Sequence, residues 1–122
     1  MNEVVSRELK DDPTIDITTT GARSGEQRRI EIWMLDVGGR YFITGTPGRR
    51  DWLANLRADP TLVVHLKRHA LVDLPAVARI VDDTPTRREV LEHLSAHWYR
   101  GQTSIDDLVD DAPMVEIKFP GA

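Results

Sequence analysis

Arginines crowd two short, glycine-containing stretches in the first half of the chain. One stretch covers residues 21–29 and the other covers residues 46–50. Each guanidinium is a planar fork that donates paired hydrogen bonds to a phosphate or carboxylate, and a neighbouring glycine lets the backbone approach such a ligand. Solvated loop arginines would give the same pattern, so these residues alone leave binding of a small anion and simple solvation as equal alternatives. The five arginines are Arg23, Arg28, Arg29, Arg49 and Arg50.

The charge balance of the whole chain argues against a polyanionic partner. The 122 residues include 16 Lys and Arg against 20 Asp and Glu, which gives a formal net charge of -4 at pH 7. The basic residues crowd the first half, whereas aspartates crowd the region 106–111. Basic loops on an acidic chain suit a small anionic ligand better than a nucleic acid.

The chain contains no cysteine, which excludes disulfides and thiolate chemistry and fits a reducing compartment. Residues 1–12 lack the apolar core of a signal peptide, and no apolar run reaches the length of a membrane span. We therefore expect a cytoplasmic protein. His93 and His97 have a metal-compatible spacing, with Glu89 one turn earlier, but no further ligand is aligned with them. We predict no metal site.

Six runs of alternating or β-branched residues predict the strands that must position the two basic loops. Gly21–Gly25 is typical of a turn between the first two strands, and Gly38-Gly39 is typical of a hairpin turn. In the second strand we expect Ile30, Ile32 and Met34 to share one face. The predicted strands are Ile15–Thr20, Arg28–Val37, Arg40–Thr46, Leu62–Lys67, Ala76–Val81 and Met114–Phe119.

Two helices are predicted between the strands. The first covers Arg49–Ala58, with Trp52 in the core, and is stopped by Asp59-Pro60. The second begins near Thr84 and is stopped by Gly101. Its expected features are a capping box between Thr86 and Glu89 and one apolar stripe formed by Val90, Leu91, Leu94 and Trp98.

These elements predict an α+β, mainly β protein with about six antiparallel strands and one or two helices. Sheets of this kind usually close into a barrel, because closure removes exposed edges. Residues 1–12 are expected to form an N-terminal arm or short helix, and residues 13–122 a single domain. In the last strand we expect Val115, Ile117 and Phe119 on one face and Met114, Glu116 and Lys118 on the other.

An ordered set of motifs resembles the deazaflavin-dependent nitroreductase family, which is also called the F-420-dependent quinone reductase family. The resemblance covers nearly the whole chain and is strongest between Thr18 and Leu66. Its motifs are Thr18-Thr19-Thr20-Gly21-x-Arg23-Ser24-Gly25, Arg28, Gly38-Gly39, Gly45-Thr46-Pro47-Gly48 and Asp51-Trp52-Leu53-Ala54-Asn55-Leu56-x-x-Asp59-Pro60.

The resemblance implies a split β-barrel of the FMN-binding type and an oxidoreductase that binds coenzyme F-420, a 5-deazaflavin with a phosphate and an oligoglutamate tail. Such enzymes transfer a hydride to quinones, nitroaromatics or other activated unsaturated compounds. The loop between Thr46 and Trp52 is shorter here than in the best-known nitroreductases, so arginines replace a lysine of that loop. The residues implied to hold the anionic tail are Arg23, Ser24, Arg28, Thr46, Gly48, Arg49 and Arg50.

The substrate side is implied only by region, at His97-Trp98-Tyr99. Tyr99 or His97 is a candidate donor of the proton that follows hydride addition, although Tyr99 packed at a helix end is an equal alternative. We assign Trp33 and Trp98 to the substrate pocket, while plain packing remains the alternative for Trp33. A nucleophilic triad is not expected, because the coenzyme carries the chemistry of hydride transfer.

Two other functions remain open from the sequence. The same barrel could bind FMN, as proteins related to pyridoxamine-phosphate oxidase do, or it could be a non-catalytic carrier of a cofactor or another anionic ligand. In each case the expected partners are small molecules, with no nucleic acid and no membrane span. The chain is expected to be a monomer or a homodimer.

Overall fold

A computed structural model describes residues 2–121 of the chain. The strands are β1 (Thr14–Thr20), β2 (Gln27–Trp33), β3 (Leu35–Val37), β4 (Arg40–Thr44), β5 (Thr61–Leu66), β6 (Val72–Ile80) and β7 (Met114–Lys118). The α-helices are α1 (Glu3–Leu9), α2 (Asp51–Ala58), α3 (Thr84–Glu92), α4 (His97–Arg100) and α5 (Ile105–Asp111), with a 3₁₀ turn at Leu94–Ala96.

The strands form one antiparallel sheet in the order β2-β1-β5-β6-β7-β4-β3. Its two edges, β2 and β3, are consecutive in the chain and are separated only by Met34. The sheet therefore has to curl into a half-barrel that brings its edges near each other. This architecture confirms the predicted α+β, mainly β fold of antiparallel strands.

The predicted strand Arg28–Val37 is wrong as a single element, because the chain bends at Met34. Met34 is fully buried, and its backbone N–H donates to the carbonyl of Pro13 at 2.9 Å, which is the last bond in the register of the β1–β2 ladder. From Leu35 onward the chain pairs with β4 instead of β1. The bend separates β2 from β3 and raises the strand number from about six to the seven seen within residues 2–121.

The core lies on both faces of the sheet. On one face, α1 and α2 pack Val5, Leu9, Trp52 and Leu56 against β1, β5 and β6, so the prediction that Trp52 is a core residue is confirmed. On the other face, α3, α4 and α5 cover β3, β4 and one face of β7. Because β7 is covered on both faces, Met114 and Glu116 are each only 1% exposed, as buried as Val115 and Ile117 on the opposite face.

The N-terminal residues are joined to the sheet through α1. The carboxylate of Glu8 is buried and accepts backbone N–H bonds from Lys67, Arg68, His69 and Ala70 at 2.7–3.2 Å. Burial alone would raise the pKa of Glu8, but the four backbone donors outweigh it and lower that pKa. Glu8 therefore fastens the β5–β6 turn to α1.

The long helix predicted after Thr84 is interrupted at His93. The first part, α3, is capped by Asp83, whose carboxylate accepts from the Thr86 N–H at 3.0 Å, so the predicted capping box of Thr86 with Glu89 is wrong. His93 has an extended backbone, with φ of -66° and ψ of 151°, and its ring accepts the N–H of Ser95. This interruption rotates the next residues outward.

The predicted apolar stripe on this segment is wrong in its second half. Val90 and Leu91 are fully buried in α3, as expected. Leu94 and Trp98 follow the interruption and are 85% and 51% exposed, respectively. The apolar residues keep helical spacing throughout the segment, but the ring of His93 caps a new turn and so ends the helical periodicity.

Glu116 is the centre of a charged cluster at the β4–β7–β6 junction. Its carboxylate accepts from Arg40 at 2.9 and 3.0 Å, from Arg79 at 2.9 Å, and lies 3.1 Å from the Lys118 ammonium. Hydrogen bonds from Arg40 have the largest effect on the pKa of Glu116. With those from Arg79 and Lys118 they overcome the opposing effect of burial and lower the pKa of Glu116 to about 2.

We predict that Glu116 makes the protein acid-sensitive. Its folded pKa is depressed, so its stabilisation is complete above the usual glutamate value of 4.5 and is lost as the pH falls towards about 2. Glu116→Gln should lower the free energy of unfolding at pH 7 by an amount on the order of 3 kcal/mol, since each pKa unit corresponds to about 1.4 kcal/mol. Urea unfolding from pH 6 to pH 2.5 should show a flatter pH dependence in the variant. Parallel curves for both proteins would contradict this assignment.

Candidate functional site

A cleft of about 370 Å³ lies between the β1–β2 turn and the N-terminal half of α2. Strand β2 forms its side, because Arg28 and Ile30 face it, whereas Arg29 lies on the opposite face and donates to Asp16 at 3.0 Å. The lining residues with functional groups or large side chains are Thr19, Arg23, Ser24, Arg28, Ile30, Arg49, Asp51, Trp52 and Asn55.

The β1–β2 turn is stiffened by its own backbone bonds. Gly21 donates to the Glu26 carbonyl at 2.8 Å, and Gly25 donates to the Gly21 carbonyl at 2.9 Å. Ser24 Oγ accepts the Glu26 N–H at 3.1 Å. A Cβ at Gly21 would lie 2.6 Å from that Oγ, so glycine makes room for the serine. The turn therefore presents Arg23 and Ser24 to the cleft in a defined orientation.

The second wall of the cleft is the start of α2. Its first residues, Asp51 and Trp52, line the cleft directly after Arg49. The N–H groups of a helix's first turn lack intrahelical partners and carry the positive end of its dipole. Within residues 2–121, no side chain caps this N-terminus by accepting those bonds. This end of α2 is therefore suited to an anion, with Asp51 as the one acidic side chain on the same wall.

Three of the predicted tail-binding residues lie outside the cleft. The Arg50 guanidinium folds back and donates to the carbonyl and hydroxyl oxygens of Thr46 at 2.9 and 3.2 Å. A Cβ at Gly45 or at Gly48 would lie 3.1 or 2.9 Å from that guanidinium, so both glycines make room for it. Gly48 itself lines a separate depression beside Arg57. The structure thus groups Arg23, Ser24, Arg28 and Arg49, and separates them from Thr46, Gly48 and Arg50.

The arginines in the cleft are available for a ligand. Arg28 forms an exposed ion pair with Glu26 at 3.1 Å, in which both side chains are more than half exposed. Such pairs contribute little stability, so an incoming anion can displace Glu26. Within the described residues, neither Arg23 nor Arg49 has a carboxylate partner within 4.0 Å.

Three aromatic rings meet beyond the loop that Arg50 stabilises. Trp33 lies 5.5 Å from Trp98 and 6.1 Å from Tyr99, and Trp98 lies 5.3 Å from Tyr99, all edge to face. Trp33 and Trp98 are 37% and 51% exposed. We call these three rings the aromatic cluster. Its assembly depends on the bend after Trp33 and on the interruption at His93, neither of which was predicted.

The two candidate proton donors have different environments. Tyr99 is only 6% exposed, and burial raises its pKa to about 12, against a smaller opposing effect of the Arg50 charge. That coupling places Arg50 near the aromatic cluster. His97 is exposed at the start of α4, and within residues 2–121 its side chain makes no hydrogen bond. Tyr99 therefore stays protonated near neutral pH.

Asn55 is a site residue that the sequence reasoning missed. It is 8% exposed on α2; its Oδ1 accepts the Ala22 N–H at 2.9 Å and its Nδ2 donates to Thr19 Oγ1 at 3.1 Å. The available signal was its position between Trp52 and Leu56 on the buried face of the predicted helix. A polar side chain there needs partners, because an unpaired buried amide is costly.

Among residues 2–121, no three His, Asp or Glu side chains are grouped so that they could hold a metal ion. The interruption at His93 also removes the helical spacing of His93 and His97. In the same part of the chain, no helix is long and apolar enough to cross a membrane.

The half-barrel defines a split-barrel protein, and its cleft is lined by arginines. More specifically, the chain belongs to the F420H(2)-dependent quinone reductase family, whose sequence profile matches residues 1–107. The family consists of oxidoreductases that use reduced coenzyme F-420. The predicted family, enzyme class and cofactor are therefore confirmed, and FMN becomes the secondary alternative.

Solved structures share the fold at low sequence identity. An F420-H2 dependent reductase named FDR-A is 23% identical, with a TM-score of 0.60 over 87% of this chain and 94% of its own. A protein of the pyridoxinephosphate oxidase family from Clostridium acetobutylicum has 15% identity and a TM-score of 0.70 over 98% of this chain and 86% of its own. A structure described as a domain-swapped dimer has 19% identity and a TM-score of 0.60 over 95% and 92%. The split β-barrel is thus confirmed.

We predict that the adjacent Arg49 and Arg50 have separable roles. Arg50→Ala should lower the free energy of unfolding by about 1 kcal/mol and speed amide exchange at residues 46–49, because the loop loses the bonds to Thr46. Arg49→Ala should leave stability within about 0.5 kcal/mol of wild type but weaken F-420 binding. Arg57→Ala, which removes an exposed arginine from the same helix, is the control. Identical effects of the first two substitutions on both measurements would contradict the division.

Proposed function

We propose that this protein transfers a hydride from reduced coenzyme F-420 to a quinone or another planar, activated acceptor. The observation that supports the proposal best is the cleft itself. It brings the guanidiniums of Arg23, Arg28 and Arg49 together with the open N-terminus of α2. Their donors match a ligand that carries a phosphate and several carboxylates.

The donor set of the cleft fits the tail of this coenzyme. Arg23 and Ser24 lie on the turn and Arg49 lies on the opposite wall, so a negatively charged chain between the walls would meet donors on both sides. Ile30 and Trp52 add apolar surface to the same cleft. When bound, the coenzyme supplies the hydride, and the chain supplies binding, orientation and exclusion of water.

The aromatic cluster supports a flat, uncharged acceptor. Trp33 and Trp98 expose parts of their rings next to buried Tyr99. Exposed aromatic faces bind planar rings through stacking and burial of apolar area. Quinones and nitroaromatic compounds have this shape, and we expect quinones to be the better acceptors because of the family to which the chain belongs.

Tyr99 is our choice for the proton donor to the reduced acceptor. Its hydroxyl keeps its proton up to a pKa of about 12, so it can donate throughout the neutral range. Its place in the aromatic cluster would put the hydroxyl close to an acceptor stacked on Trp33 or Trp98. The His97 side chain is exposed to solvent, so His97 is the weaker candidate.

We further propose that the protein is cytoplasmic and acts as a monomer or a homodimer. The absence of cysteine fits a reducing compartment. A structural relative is described as a domain-swapped dimer, which makes the oligomeric state worth measuring by light scattering.

The direct test is to mix purified protein with reduced F-420 and follow its oxidation in the presence of a soluble naphthoquinone or a nitroaromatic compound. We expect turnover that depends on protein and acceptor, and faster turnover with the quinone. Triple replacement of Arg23, Arg28 and Arg49 by alanine should abolish cofactor binding. A preparation that binds FMN but not F-420, or binds F-420 without turnover across a broad set of acceptors, would overturn the proposal.

We predict that Tyr99→Phe lowers kcat by at least about 10-fold, because positioned proton donors commonly contribute 10²–10⁴-fold. The Kd for F-420 should stay within a factor of two, since Tyr99 does not line the arginine cleft. Stopped-flow oxidation of reduced F-420 by the quinone measures the rate. Tyr41→Phe removes a hydroxyl bonded to Asn2 and Ser6 and is the matched control. Equal loss of kcat in both variants would exclude the role given to Tyr99.

A further inference from the structure

We propose that Asn55 is a positioning residue that fixes the separation of the two walls of the arginine cleft and thereby sets affinity for the anionic cofactor. The inference rests on the proposed function, because it concerns the same ligand. In this role Asn55 raises the affinity for the cofactor although it does not contact the reacting atoms.

The geometry is a two-point connection. Asn55 projects from α2, the wall that carries Arg49. Its carbonyl oxygen accepts from the backbone of Ala22 at 2.9 Å, and its amide nitrogen donates to the Thr19 hydroxyl at 3.1 Å. Ala22 belongs to the turn, and Thr19 lies near the end of β1. One side chain therefore spans the base of the cleft.

The β1–β2 turn is rigid, so it would move as a unit if its connection to α2 were lost. The internal bonds at Gly21, Gly25 and Ser24 hold its shape, but they do not attach it to α2. Among the hydrogen bonds of residues 2–121, only those of Asn55 join the α2 side chains to this turn and the adjoining end of β1. Loss of the bond to Ala22 would leave a rigid turn free to pivot on the ends of β1 and β2.

A pivot of the turn would act on binding because Arg23 follows Ala22 directly. Movement at Ala22 changes the distance from the Arg23 guanidinium to Arg49 across the cleft. An anion held from both walls is sensitive to that distance, since charge-assisted hydrogen bonds require donors within about 3 Å. The aromatic cluster lies elsewhere, so acceptor binding should be unaffected.

The residue type fits this role. The site needs one acceptor for a backbone N–H and one donor for a hydroxyl, on a side chain short enough to lie 8% exposed between α2 and the turn. Asparagine supplies both. Leucine has the same branching at Cγ but leaves the Ala22 N–H without its partner. Aspartate would place a negative charge beside an anion site, so its effect could not be interpreted.

The experiment compares Asn55→Leu with wild type in three measurements. Calorimetric titration with F-420 should show a Kd raised by at least 10-fold. Steady-state kinetics at saturating F-420 should show kcat and the quinone KM within a factor of two of wild type. Hydrogen exchange should become at least 10-fold faster at the Ala22 amide, while the Gly21 amide, which is bonded within the turn, should change less.

Thr19→Val is the second variant, for the case in which Asn55→Leu does not fold. It removes the hydroxyl that holds the Asn55 amide while keeping the shape of the side chain. We expect a smaller rise in Kd, of about 3-fold, and faster exchange at Ala22. Ser6→Ala, which removes a comparable hydrogen bond to Tyr41 on the α1 side of the protein, controls for a general loss of stability. It should lower Tm without changing the Kd for F-420.

The outcomes distinguish a failure of the proposed function from a failure of the role given to Asn55. Failure of wild-type protein to bind F-420 overturns the proposed function, and this inference with it. Wild-type binding together with unchanged Kd in both Asn55→Leu and Thr19→Val overturns the inference alone. A Kd that follows Tm equally in all three variants also overturns it, because Asn55 would then act only through stability.

Discussion

The cleft gathers three arginines from separate parts of the chain, and the elements around it determine how these like charges are placed relative to one another. Arg23, Arg28 and Arg49 are gathered in one cleft although the chain as a whole carries a formal charge of -4. Two carboxylates lie beside these arginines: Glu26, which pairs with Arg28, and Asp51 at the start of α2. The bonds within the β1–β2 turn and those of buried Asn55 hold the two walls of the cleft in place. An anionic ligand would neutralise the charges gathered there.

The strand positions were predictable because β-branched residues and alternation are local properties. Strands β1, β5 and β7 lie within a residue or so of their predicted bounds, and Trp52 is in the core as expected. The burial of Glu116 was not predictable in this way. It depends on a second layer of helices over β7 and on Arg40 and Arg79, which reach it from neighbouring strands. Tertiary coverage of this kind leaves no trace in the alternation of one strand.

The candidate site shows the same limit at the scale of single residues. Arg49 and Arg50 are adjacent and chemically identical, yet one lines the cleft and the other supports its own loop. Composition and spacing identify the basic stretch but cannot assign the direction of each side chain. The breaks at Met34 and His93 were missed for a related reason, since the first depends on a change of partner strand and the second on a ring contact. Those breaks also bring Trp33 and Trp98 together, so the prediction failed where the structure is most specialised.

The division of labour between protein and coenzyme follows from this arrangement. In the proposed reaction, hydride chemistry belongs to the coenzyme, and the chain would contribute two surfaces, one charged for the tail and one aromatic for the acceptor. Tyr99 belongs to the aromatic cluster and is influenced by the charge of Arg50, which supports the loop that precedes α2. The structure therefore needs no nucleophile or metal among its described residues to carry out the proposed reaction.

The central claim is that the cleft holds the coenzyme by its negatively charged tail. Its most direct test compares the Kd of complete F-420 with that of the same deazaflavin ring lacking the phosphate and glutamates, at low and at high salt. The account predicts binding of the complete coenzyme at least about 100-fold tighter at low salt, since several charge-assisted bonds contribute about 1.5–3 kcal/mol each, and a difference that shrinks as salt screens the charges. Equal affinity of the two ligands at every salt concentration would contradict it.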